Sequence, residues 1–282
     1  MNNSIRRKLL AMYDYHDPVT GKVIPGYDKE HAERTSRIVI KAARRLGIKG
    51  ETLAELEVTT LLHDLGRVGL EPELFSQIFN YAQAEGLPVR VTDLMNQYSN
   101  VKKSQAATFY ERLVKPVLKK YGIAVNDRVR RHIEMRMNFE GLLKAEIKKH
   151  EKDFEKLGVK IGSWMVKVML YYYYPEYLAK SSDKDSRLMG MILVACENLE
   201  AYNNIRRGRD YYGRRKESLK ESFDVLKRFV NQKLITKEVY DCLRQLVGSG
   251  ELDAILAESR GYKSPNELPR EYEEFKLKLR SA

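Results

Sequence analysis

The residues best suited to chemistry in this chain are His63 and Asp64, an adjacent imidazole–carboxylate pair near the end of the stretch LAELEVTTLLHDLGRVGL, Leu53–Leu70. Imidazole nitrogen and carboxylate oxygen together suit divalent metals of intermediate hardness. A carboxylate set in an apolar run is too costly to keep ionised alone, so Asp64 is expected to be paired, protonated or bound to a cation. His31 and His132 also fall on apolar helical faces, whereas His16 lies in a Pro/Gly-rich loop and His150 among lysines. One histidine on such a face usually belongs to a satisfied core; three of them, with Asp64, point towards a metal site. Glu197, embedded in MILVACENLEAY, is the further candidate ligand. A carboxylate there must reach the rim or meet a positive partner, and an ordinary ion pair with Lys or Arg is the competing explanation.

The elements that must carry these groups read as helices. Asp28 stands where a capping residue would start a helix from Lys29 to a stop at Gly47, with His31 seven residues before Ile38 on the same face. Glu51–Asp64 reads as the next helix, and Pro72 opens another reaching about Glu85. Helical spacing recurs over Val125–Phe139, Ile161–Tyr174, Ser186–Asn203, Glu217–Gln232, Thr236–Val247 and Glu251–Glu258. Tyr171–Tyr174 are read as core and interface rather than as a base-stacking platform. Lys144–Lys156 reads as an exposed, salt-laced helix and the charged tail after Pro265 as peripheral. Alternating strand patterns and internal repeats are absent from the sequence. The expectation is an all-α chain, with an N-terminal helix and loop (1–27), one main domain (28–253) and a charged, helical C-terminal extension (254–282).

At 282 residues and 43% apolar content the chain has ample material for a core. It lacks an apolar run long enough to span a membrane, and the apolar stretch within Met1–Tyr15 is too short and interrupted for a secretory leader. Two cysteines, Cys196 and Cys242, make no disulfide framework and suit a reducing cytoplasm. The net charge of +12 favours polyanionic or phosphorylated partners, nucleic acid among them, although much of it serves only to solvate helix faces.

HAERTSRIVIKAARRLGIKGETLAELEVTTLLHDLGRVG resembles the core of the HD-domain phosphohydrolases, most closely the HD-GYP branch, in which a histidine precedes a helix ending in HDxGK by about thirty residues. ILVACENLEAYNN is similar to the segment bearing that family's later metal-binding Asp, with Glu197 at its position and Glu200 at a second acidic one. RRGRDYYGRRKES resembles the family's Arg-Pro-Tyr-Arg segment, and the likeness covers roughly Asp28 to Asp253. RHIEMRMNFEG stands where the HHExxDGxGYP signature belongs: His132 is kept, but the second His and the GYP loop are missing. Arg67 replaces the Lys of HDxGK, and Lys103 or a neighbour stands where a further His is expected.

The resemblance implies an HD-type helical bundle holding one divalent ion (Mn, Fe, Ni, Co, Zn or Mg) on His31, His63, Asp64 and Glu197. Asp64, Arg67 and His132 are the expected catalytic residues, and Arg67, Lys103, Arg209 and Tyr211 the expected substrate contacts. The expected activity is hydrolysis of a phosphate ester of a nucleotide or related small molecule by a metal-activated water. Hydrolysis of cyclic-di-GMP is not expected without the GYP loop. A catalytically degenerate module binding nucleotide or nucleic acid is the alternative. A two-iron oxygenase would need more histidines than the chain supplies.

Overall fold

The computed structural model describes residues 1–17, 20–205 and 219–281. The chain runs α1 (Asn3–Ala11), a two-stranded antiparallel hairpin of β1 (Tyr15–His16) and β2 (Val23–Ile24), α2 (Lys29–Arg45), α3 (Gly50–Leu61), α4 (Pro72–Ala84), α5 (Val91–Gln97) and α6 (Ala106–Lys120). It continues through α7 (Asp127–Met137), α8 (Phe139–Lys149), α9 (Glu151–Lys156), α10 (Ser163–Tyr173) and α11 (Lys184–Asn203). The last described helices are α12 (Leu219–Asn231), α13 (Lys237–Ser249), α14 (Asp253–Ser259) and α15 (Arg270–Ser281). The fold is therefore all-α, and no helix among the described residues is long and apolar enough to cross a membrane.

These elements form two compact units. The first comprises Met1–Met12, Asp28–Asp64 and Phe154–Ala282; the second comprises Tyr13–Tyr27 and Leu65–Asp153. In the first unit α11 is buried almost all round, as its MGMILVACENLEAY sequence requires, and α2, α10 and α12 pack on it. The inward face of α2 is Ile38, Val39, Ala42 and Ala43, and the helix stops where Gly47 takes a left-handed φ of +84°.

Four local expectations are corrected here. Asp28 opens α2 but makes no capping bond, because its φ and ψ of −85° and 0° are already helical, whereas a capping side chain works from extended backbone. The helix expected to run to Asp64 ends at Leu61, so His63 and Asp64 sit in the turn that follows, ahead of a 3-10 turn at Leu65–Arg67. The charged tail is not peripheral, since α15 packs on α13 and buries Tyr272, Lys276 and Leu279. Within the arm read as exposed, Phe154 and Glu146 are buried as well.

In the second unit α4, α6, α7 and α8 enclose Phe75, Phe79, Tyr110, Val114, Ile133 and Phe139. Gly66, from the HDLGR motif, lies against α8 so closely that a Cβ would fall 2.9 Å from the Leu143 nitrogen and 2.9 Å from Phe139 Cε2. Backbone cannot swing aside as a side chain does. Gly66→Ala is therefore expected to cost about 1–3 kcal/mol in chemical denaturation, and an unchanged midpoint would show that α8 yields freely.

Candidate metal centre

Three acidic or imidazole groups of the first unit meet at one point, and a fourth lies beside one of them. α2 supplies His31 from its first turn, the turn after α3 supplies His63 and Asp64, and α11 supplies Glu197. His31, His63 and Asp64 each offer one ligand atom within 4.8 Å of the other two, and all three residues are at most 2% exposed. His31 Nε2 lies 3.8 Å from Asp64 Oδ2, and His63 Nε2 lies 3.7 Å from the same oxygen. Glu197 Oε1 is also 3.8 Å from His31 Nε2.

These separations are too long for hydrogen bonds. They do suit donors that share a cation: two atoms each ~2.0–2.2 Å from one ion lie no more than ~4.4 Å apart. Both imidazoles are already turned for that role, because their other nitrogens are occupied. His63 Nδ1 donates to the Thr60 carbonyl at 2.6 Å, and His31 Nδ1 donates to Glu200 Oε2. An imidazole protonated on Nδ1 presents a bare lone pair at Nε2. The donor set thus fits a metal ion, and His31, His63 and Asp64 form a cluster able to hold one. Tyr172 of α10 stands edge-on to the His63 ring, with centroids 4.7 Å apart.

Behind His31, the fully buried Glu200 carboxylate takes a 2.7 Å bond from Arg34 Nε and a 3.1 Å bond from Asn204 Nδ2. Burial works against the Arg34 charge, but the Glu200 carboxylate more than offsets this and raises the guanidinium above its ordinary value.

Other predicted residues belong to the second unit. Arg67 is buried, with its guanidinium carbon 5.7 Å from the centre of the Phe75 ring. Lys103 Nζ lies 2.6 Å from Glu140, whose other oxygen is 2.6 Å from Lys144 Nζ. Burial alone would raise Glu140, and the two ammonium groups more than reverse it, holding the carboxyl below its ordinary range. His132 is committed to backbone on both sides: Nδ1 donates to the Arg128 carbonyl at 2.6 Å, and Nε2 accepts the Glu71 N–H at 2.8 Å. Service as a proton donor or ligand would require one of these bonds to be exchanged. Arg209 and Tyr211 lie outside the described residues.

Burial pushes His132 below the ordinary histidine range despite its bond to Arg128. The unfolded chain takes up that proton near ~6.5 while the native state still refuses it. Stability from this residue is therefore complete above about 6.5 and falls as the pH drops towards the lower native value. Urea midpoints of the wild type and His132→Gln at neutral and mildly acidic pH read the effect. An equal acid loss in both would remove His132 as its source.

Glu200 is visible in the sequence only through the family likeness, Tyr172 only as one of the four tyrosines read as core and interface, and Arg34 and Thr60 carry no motif of their own. Helical spacing carried part of the signal: Arg34 is three residues from His31, Glu200 three from Glu197 and Thr60 three from His63. A cleft of about 460 Å³ in the first unit, walled by Ile48, Trp164 and Met189, contains none of the predicted site residues. Compared with protein-family models, curated proteins and solved structures, the chain matches none.

Proposed function

We propose that this chain is a metal-dependent phosphohydrolase of the HD superfamily, acting on a phosphate ester of a nucleotide or related phosphorylated small molecule. The observation that carries this reading is the convergence of His31 Nε2, His63 Nε2 and Asp64 Oδ2 in a buried cluster, with both Nδ1 atoms held by acceptors. His31, His63, Asp64 and Glu197 would hold a divalent ion. When bound, such an ion acidifies a water and draws charge from a phosphoryl oxygen. Asp64, besides holding the ion, would orient or deprotonate the attacking water. Arg67 is the phosphate contact that the family likeness implies. Tyr172, edge-on to His63, limits water on that side of the imidazole. The net charge of +12 favours an anionic substrate, and the two buried free cysteines agree with a cytoplasmic setting.

Metal analysis of purified protein, followed by a hydrolysis screen, tests the reading. The screen comprises nucleoside mono-, di- and triphosphates, cyclic dinucleotides and bis(p-nitrophenyl) phosphate. The expected result is about one divalent ion per chain and turnover of at least one ester. A metal-loaded protein inactive on every ester would end the hydrolase reading. The second reading, a non-catalytic module binding nucleotide or nucleic acid, is favoured by the engagement of His132 with backbone and of Lys103 with Glu140. It takes over if the protein holds no metal and neither Mn nor Ni supplies activity.

A further inference from the structure

We infer that Glu200, anchored by Arg34, is a positioning residue that selects the tautomer of His31 and so makes its Nε2 a metal ligand; the inference rests on the metal-site reading above. The two carboxylates of the ENLE segment are three residues apart on α11, and they serve opposite nitrogens of one imidazole. Glu197 Oε1 faces Nε2 at 3.8 Å, while Glu200 Oε2 accepts the proton of Nδ1.

Glu200 itself is no ligand. One oxygen is on His31 Nδ1, and the other takes Arg34 Nε at 2.7 Å and Asn204 Nδ2 at 3.1 Å. Its place is on the far side of the ring from Asp64 and Glu197. Arg34 matters because a guanidinium is only ever a donor, so whatever atom faces its Nε must accept. That leaves Glu200 oriented, with its second oxygen committed to His31. An imidazole whose Nδ1 meets an acceptor keeps its proton there, and Nε2 stays bare. His63 obtains the same tautomer from a neutral backbone carbonyl, that of Thr60. A carboxylate is the stronger acceptor, so His31 is the more strongly fixed of the two ligands.

The isosteric substitution Glu200→Gln turns this into a sharp test. Arg34 must still face an acceptor, so the amide oxygen goes to Arg34 and the amide NH2 is left facing His31 Nδ1. His31 must then accept on Nδ1 and carry its proton on Nε2, which removes the lone pair from the metal side. Imidazole nitrogen NMR of metal-free protein at mildly alkaline pH reads the tautomer directly, with His31→Gln assigning the signal. The expected pattern is a proton on Nδ1 in the wild type and in Glu200→Asp, and on Nε2 in Glu200→Gln. Co(II) affinity, read by titration and by its visible absorption, should fall ~10–100-fold in Glu200→Gln and recover in part in Glu200→Asp.

A wild-type His31 protonated on Nε2 overturns the inference without any variant. So does a Glu200→Gln protein that keeps the Nδ1 proton and binds Co(II) as the wild type does. If the wild type binds no Co(II) while the tautomer still switches, Glu200 sets the tautomer but the metal-ligand part of the inference is overturned, and the Mn and Ni test above decides the hydrolase reading separately.

Discussion

If the proposed reading holds, His63→Ala protein is expected to come off the column without a divalent ion and to be inactive on any ester that the wild type turns over. His63 is fully buried, its Nε2 lies 3.7 Å from Asp64 Oδ2, and its ring is oriented by the 2.6 Å bond to Thr60. Alanine removes a donor atom itself, so affinity should fall by more than the ~10–100-fold typical of losing only an outer hydrogen bond. Alanine leaves a void beside Tyr172, so some stability is lost as well, and the thermal melt separates that loss from loss of the ion. Asp64→Asn keeps the volume and exchanges an anionic ligand for a weaker neutral one, and should lie between the two. Metal content by elemental analysis, with a thermal melt on the same sample, decides the matter. A folded His63→Ala protein that keeps a stoichiometric ion would place the ion elsewhere and remove the basis for the proposed chemistry.

The largest stability effect is expected from Arg34→Ala. Arg34 is 6% exposed and Glu200 is 0% exposed, so deleting the guanidinium takes a charged partner from a carboxylate held away from water, to which Asn204 and His31 also bond. Removing one partner of such a buried pair typically costs about 3–5 kcal/mol. That is a large part of the ~5–15 kcal/mol by which a folded domain is stable. Arg37, one turn along α2, pairs with Glu258 at 2.5 Å but with both side chains substantially exposed, and Arg37→Ala should cost at most about 1 kcal/mol. Urea denaturation of the two alanine variants side by side makes the comparison. Equal, small losses would mean that Glu200 finds other support and that the pair is not a structural anchor.

How much of this was legible in the sequence depends on how far each signal acts along the chain. Gly47 and Pro72 mark helix boundaries by local backbone preference, and both do so in the structure. His31 could be assigned to the inner face of its helix because Ile38 is two turns away. The Asp28 side chain shows the limit of such reasoning, since a residue type favoured at caps does not cap when its own dihedrals are helical. The end of α3 moved for a similar reason: an apolar run does not reveal where the backbone leaves the helix, and the ligand pair lies just beyond that point. Tyr172 beside His63 and Glu200 beside His31 are contacts across more than a hundred residues, set by packing of α10 and α11 rather than by any local pattern. The Pro/Gly-rich loop around His16 lies within the second unit's first stretch, but nothing comparable marks the boundary between Asp153 and Phe154, because each unit is assembled from separated stretches of chain.

The 169-residue separation of His31 from Glu200 has a consequence for how the protein is made. At ~5–20 residues per second, a ribosome takes roughly 8–34 s to add that much chain. For most of that interval, once Asp64 has been added, the nascent polypeptide contains both imidazoles and the aspartate, yet lacks the glutamates of α11. On the proposed reading, the set of donors that includes Glu197, and the support that Glu200 gives His31, are complete only once translation has passed that helix.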